Sequence, residues 1–115
     1  MEFTMSTRRE GAGTVVEIAG DLDMSTTPQL RERLRDVVEG GARVVVVDLT
    51  GVGFMDSSGL GALVVAYREL RDRNGWLGLA GVRRSVRTVL SITSVDQVIS
   101  VFDTVADAEA AARVS

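Results

Sequence analysis

The chain of 115 residues contains no cysteine and no histidine. Without cysteine it forms no disulfide, thiol nucleophile or thiolate metal site. Without histidine it lacks the commonest general base and a leading transition-metal ligand, and no Ser-His-Asp triad can be assembled within the chain. Lysine is missing too, since all 13 basic residues are arginine. No apolar run approaches the roughly 20 residues that a membrane-spanning helix needs. The opening Met1-Glu2-Phe3-Thr4-Met5 has no basic stretch followed by an apolar one, so no secretory signal is expected and a cytoplasmic location fits. A net charge of −3 with no basic run argues against nucleic acid as a partner, and no membrane partner is expected.

What is present is a core. Hydrophobic residues make up 45% of the chain, and its length suits one domain over residues 1–115 with no repeat, linker or low-complexity tract. Glu2 to Arg8 places Phe3 and Met5 on one side of a strand, and Gly11-Ala12-Gly13 turns the chain into a second strand, Thr14 to Ala19, as an antiparallel hairpin. Thr27 is the expected N-cap of a first helix with Pro28 at its first position, and Leu30, Leu34, Val37 and Val38 recur at helical spacing until Gly40-Gly41. Val44-Val45-Val46-Val47 does not alternate, which predicts a central strand buried on both faces. Asp48 to Asp56 is read as its exit loop. A second helix is expected from about Ser57 to Asn74, a strand over Trp76 to Ala80, a third helix around Val86, Val89 and Leu90, a strand over Val98 to Phe102, and a last helix over Thr104 to Arg113. The alternation predicts an α/β fold: a mostly parallel sheet of about five strands with an N-terminal antiparallel hairpin strand, right-handed crossovers and about four helices.

Loops at the carboxyl ends of parallel strands gather on one edge, where ligands usually bind. Three loops should meet there: Gly20 to Asp23, Gly53 to Gly59 and Gly81 to Arg84, bringing Asp21, Asp23, Asp56, Ser57, Ser58, Arg83 and Arg84. From local chemistry alone, Asp56-Ser57-Ser58 is a helix cap. Helix geometry adds to this. Leu60, Leu63, Val64, Tyr67 and Leu70 form a stripe facing the sheet, and Ser58 falls on nearly the opposite side with Gly61, Ala62, Val65 and Glu69. Ser57 points nearer the core, so Ser58 is expected to carry the more accessible hydroxyl. Gly59 and Gly61 each cost about 1 kcal/mol in a helix. Packing accounts for Gly59, whereas Gly61 projects off the stripe and leaves room for a partner backbone. Arg83 and Arg84 could contact a partner or a phosphate but read first as a solvated helix start, and Phe54 and Met55 read as core or rim.

The run Val45-Val46-Val47-Asp48-Leu49-Thr50-Gly51-Val52-Gly53-Phe54-Met55-Asp56-Ser57-Ser58-Gly59-Leu60-Gly61 resembles the signature of the STAS domain of bacterial anti-sigma factor antagonists, and Gly20-Asp21-Leu22-Asp23 resembles that family's acidic loop. The resemblance extends over almost the whole chain and implies a STAS-like domain. It implies a protein that binds an anti-sigma factor which is also a serine kinase, so freeing the sigma factor. Phosphorylation by that kinase then breaks the complex, and a PP2C-type phosphatase reverses it. Carried over by position, the phosphoacceptor is Ser58, with Asp23 and Asp56 near it. The expected partner surface comprises Asp21, Asp23, Met55, Asp56, Ser57, Ser58, Gly59, Gly61, Ala62 and Val65. The ATP belongs to the kinase, so the chain itself needs no cofactor and no metal. Two segments depart from the family: Trp76 stands where a second glycine is frequent, and Ser94, in Ile92-Thr93-Ser94-Val95, stands where a glycine would ease the exit from the third helix.

Three other readings compete. A STAS scaffold or nucleotide-sensing module would dock in another signalling assembly. A serine hydrolase or phosphotransferase would use Ser57 or Ser58, with only Asp23 or Asp56 available as base. A flavodoxin-like nucleotide or flavin binder would have to cradle phosphate on Gly51 to Gly61, which has no P-loop lysine.

Overall fold

The apolar pattern sets where each element packs. The computed structural model describes residues 2–11 and 13–114. In it β1 (Thr4–Glu10) pairs antiparallel with β2 (Gly13–Leu22), with Thr4 opposite Ala19 and Glu10 opposite Gly13. This is the expected hairpin; Ala12, in its turn, lies outside the described residues. There follow α1 (Thr27–Glu39), β3 (Val44–Met55), α2 (Ser57–Asp72), β4 (Trp76–Ala80), α3 (Arg84–Ile92), a 3-10 turn (Val95–Gln97), β5 (Val101–Phe102) and α4 (Val105–Ala112). The sheet order is β1-β2-β3-β4-β5, parallel from β2 onward.

The valine run owes its lack of alternation to burial on two sides. Val45 and Val47 join Val16, Ile18 and Leu49 in a large core with Leu30, Leu34, Leu63, Leu70, Val86 and Leu90 from α1, α2 and α3. Val46 joins Val15 and Ala80 in a smaller core against Ala108 of α4. Three helices therefore cover one face of the sheet and α4 covers part of the other.

Several boundaries differ from the sequence reading. β3 does not stop at Val47; it runs on to Met55 beside β2, with register shifts between Glu17 and Ala19 and between Gly20 and Asp21. These irregularities bend the pair and carry both strands beyond the sheet centre. Gly51 allows the approach, since a Cβ there would lie 2.8 Å from the Ala19 Cβ. The N-cap of α1 is Thr26, so Thr27 and Pro28 both lie inside the first turn, where a missing N–H does no harm. The last strand shrinks to Val101–Phe102 because Val95–Gln97 coils and Ile99 drops into the core. Trp76, in the departing segment, tilts against Phe102 with ring centroids 5.9 Å apart.

Ser94 adopts φ +62°, the left-handed conformation in which a Cβ is unfavourable. Ser94→Gly is expected to stabilise the fold by roughly 0.5–1 kcal/mol and Ser94→Val to destabilise it. Thermal melting of both variants checks this, and a lower melting temperature for Ser94→Gly would contradict it.

Candidate functional site

The three expected loops do meet at the carboxyl edge. The Asp56 N–H donates to Leu22 O at 3.0 Å, joining the ends of β3 and β2. Arg83 Nε donates to Thr50 O at 2.7 Å and Ser85 Oγ to Gly53 O at 2.8 Å, pinning the β4–α3 loop on the same edge. Arg83 is thus a brace across the loops as well as an exposed helix start.

Asp56 is the N-cap of α2. Its Oδ1 accepts from Ser58 N at 2.9 Å, Gly59 N at 3.3 Å and Ser58 Oγ at 2.6 Å. Asp23 builds the corresponding turn before α1: its Oδ1 accepts from Ser25 N at 2.9 Å, Thr26 N at 3.3 Å and the Ser25 hydroxyl. Thr26 Oγ1 donates to Asp21 O at 2.7 Å, which anchors exposed Asp21 in the same loop. Both carboxyls are held below the ordinary aspartate range. For Asp56 the Ser58 hydroxyl is the main cause, opposed by partial burial and by the negative charge of Asp23. For Asp23 the main cause is the Ser25 hydroxyl. The Asp56 carboxylate therefore holds Ser58, and the Asp23 carboxylate lies within electrostatic reach of Asp56.

Ser58 is not the open hydroxyl that the helix wheel predicts. It is half-buried and Ser57 is exposed. Ser58, Ala62 and Ala66 fall at i, i+4 and i+8, a line along one helix face. That face meets α1: Ala62 and Ala66 are buried there beside Leu34, and Ser58 Oγ lies 3.0 Å from Thr27 Oγ1. The wheel treats the sheet as the sole packing surface, but α1 and α2 lie side by side and claim a second face. The same geometry corrects two residues of the expected partner surface. Ala62 is only 2% exposed, between the helices, and Met55 is 2% exposed, where the β3 end enters the core. Gly59 is the packing glycine, with a Cβ position 3.0 Å from the Leu22 Cβ.

What remains open is Gly61, whose Cβ position has nothing within 4 Å, together with Ser57, Asp21 and the exposed side chain of Val65. Phe54 in β3 and Met24 in the β2–α1 turn are further exposed apolar side chains, at 50% and 79% exposure. Met24 escaped the sequence reading. Its signal is a large apolar residue inside the otherwise polar Asp23-Met24-Ser25-Thr26 turn. Among the described residues no group of acidic side chains is arranged to hold a metal ion, and no helix is long and apolar enough to cross a membrane.

Fold and edge together define a single-domain α/β module that presents a capped serine pair beside an open apolar helix face. The chain belongs to the STAS domain family, whose model matches residues 4–108. It is similar to the anti-sigma-B factor antagonist of Listeria monocytogenes, with 34% identity over 84 residues, 73% of this chain and 74% of that protein. It is also similar to the anti-sigma-B factor antagonist of Staphylococcus aureus, with 30% identity over 101 residues, 88% of this chain and 94% of that one. The crystal structure of an anti-sigma factor antagonist from Mycobacterium paratuberculosis matches with a TM-score of 0.90 at 28% identity, covering 97% of this chain and 95% of that chain.

The Asp56 cap makes stability pH-dependent with a defined sign. Its folded-state pKa lies below the ordinary 3.8, so its stabilisation is complete above that value and is lost as pH falls through the folded-state value. In an acid melting series the gap between wild type and Asp56→Asn should close through this window, and parallel curves would contradict the assignment. The Asp56 carboxyl should titrate higher in Ser58→Ala, as read by NMR.

Proposed function

We propose that this chain is an anti-sigma factor antagonist, a binding protein and not an enzyme, switched by phosphorylation of Ser58. In its unphosphorylated form it binds an anti-sigma factor that is also a serine kinase, and the sigma factor is released. ATP held by that kinase supplies the phosphate, and a PP2C-type phosphatase removes it. The observation that carries this reading is the capped Asp56-Ser57-Ser58 turn standing beside the open Gly61 surface in a chain whose curated relatives bear that name.

The physical case rests on the change in charge. A phosphoserine brings roughly −1.5 to −2 charges at neutral pH. Here they arrive on the carboxylate of Asp56, within reach of the Asp23 charge, on the helix that carries the open Gly61 and exposed Val65. A partner that closes over that apolar surface would have to desolvate a dianion without a matching cation, at a cost of several kcal/mol. Each 1.4 kcal/mol is about tenfold in affinity, so release follows without any change of fold. The free N–H groups at the start of α2 offer the phosphate local compensation, which leaves the domain folded.

Incubation with the cognate kinase and ATP is expected to add one phosphate, located by peptide mass spectrometry on Ser58. A phosphate found mainly on Ser57, the more exposed hydroxyl, would overturn the assignment. Gly61 offers a second test. Gly61→Ala should leave stability unchanged or raise it by up to about 1 kcal/mol, because alanine is the better helix former and its Cβ has room. Gly61→Leu should fold and yet weaken kinase binding at least tenfold. Wild-type affinity for Gly61→Leu would remove this helix face from the interface.

A further inference from the structure

α1 and α2 start together at the carboxyl edge, where Thr27 Oγ1 and Ser58 Oγ lie 3.0 Å apart, and run side by side from there. A groove of about 60 Å³ lies along the solvent side of their seam. Its floor is apolar, since Leu34, Ala62 and Ala66 are buried, and Val65 stands 47% exposed at its rim. The α1 wall carries Arg31 and Arg35, both exposed. Among the described residues neither guanidinium makes an ion pair or a hydrogen bond, and Glu69, the one acid lining the groove, is paired with neither. The neighbouring edge has the opposite sign, with Asp21, Asp23 and Asp56. Val65 lies one turn after Gly61, so the groove continues the open face of α2.

We infer that the α1–α2 groove receives an acidic segment of the anti-sigma factor, with an apolar side chain over the seam and carboxylates on Arg31 and Arg35. This inference rests on the reading of the chain as an anti-sigma factor antagonist. A guanidinium offers a carboxylate two parallel hydrogen bonds, and here no carboxylate of the chain has to be displaced first. The two arginines are four residues apart, about 6 Å along the axis of α1, which is the spacing of carboxylates at i and i+4 on a partner helix. An amphipathic helix laid on an apolar groove with a charged wall is a recurrent mode of recognition. The acidic loops at the edge repel such a segment, so the change of sign along the surface fixes which way the partner lies.

The test measures affinity for the cognate anti-sigma factor by calorimetric titration at several sodium chloride concentrations. Arg31→Gln/Arg35→Gln should bind about tenfold more weakly than wild type, with a flatter dependence on salt. Arg31→Glu/Arg35→Glu should bind more weakly still, because an acidic segment is then repelled. Arg9→Gln/Arg113→Gln, which removes two exposed charges elsewhere, should bind like wild type, and all variants should melt with wild type because the altered side chains are exposed. Wild-type affinity and salt dependence in the Arg31/Arg35 variants would overturn the inference and leave the antagonist reading standing. A Glu variant that binds as well as the Gln variant would show that the occupant is not acidic, and an equal loss in the Arg9/Arg113 control would reduce the effect to net charge; either result overturns the inference. Self-association of the chain that is lost in the Arg31/Arg35 variants would assign the groove to a second copy and overturn it too. If wild type does not bind the anti-sigma factor at any salt concentration, the antagonist reading falls and the inference with it.

Discussion

The carboxyl edge of this sheet is organised around one carboxylate. Asp56 closes β3 by donating its N–H to Leu22 O and opens α2 by accepting from two backbone N–H groups and the Ser58 hydroxyl. Those donors would otherwise be orphans at the start of a helix. The same contacts draw the start of α2 onto the end of β2, where Gly59 leaves only 3.0 Å between its Cβ position and the Leu22 Cβ. With the two elements so close, Asp23 comes within electrostatic reach of Asp56, and Thr27 comes within a hydrogen bond of Ser58. A looser junction would separate the acidic loop from the serine.

This arrangement makes the proposed switch local. Ser58 donates to the Asp56 carboxylate, which the Asp23 charge also reaches, and the same helix carries the open Gly61 and the exposed Val65. Such a surface tolerates a hydroxyl and does not tolerate a dianion once a partner excludes water. The core beneath is independent of that charge, since Leu60, Leu63 and Leu70 pack on the sheet from another face of α2. In the proposed switch the energetic consequence of phosphorylation therefore falls at the interface and the fold stays intact.

Much of this was legible in the residues. The valine run announces a strand buried on both faces, the glycines at 40, 41, 75 and 81 bound their elements, and the Asp-Ser-Ser turn announces a helix start. β4 is bounded as expected because Gly75 and Gly81 flank a short apolar run. β3 beyond Val47 was not legible: Asp48, Thr50, Gly51 and Gly53 have loop chemistry, and only pairing with a bulged β2 makes them strand. Asp48 is satisfied within that strand by the Thr50 N–H at 3.0 Å and the Thr50 hydroxyl at 2.6 Å. The helix wheel sets Ser58 opposite the core stripe as an open hydroxyl, but it does not reveal that α1 lies against that side and half-buries it. One helix's periodicity reports how its side chains are distributed and not which neighbours will cover them. Ala62 was misjudged for this reason, and Thr27, read as a cap, proved to be a contact of Ser58.

The most direct test of the account is a comparison of the unmodified chain with one carrying a phosphate on Ser58 alone, introduced during synthesis, by calorimetric titration against the anti-sigma factor kinase and by NMR of both free forms. Affinity is expected to fall at least a hundredfold while amide shifts change only around the ends of β2 and β3 and the starts of α1 and α2. Equal affinity for the two forms, or loss of affinity accompanied by shift changes throughout the sheet, would contradict it.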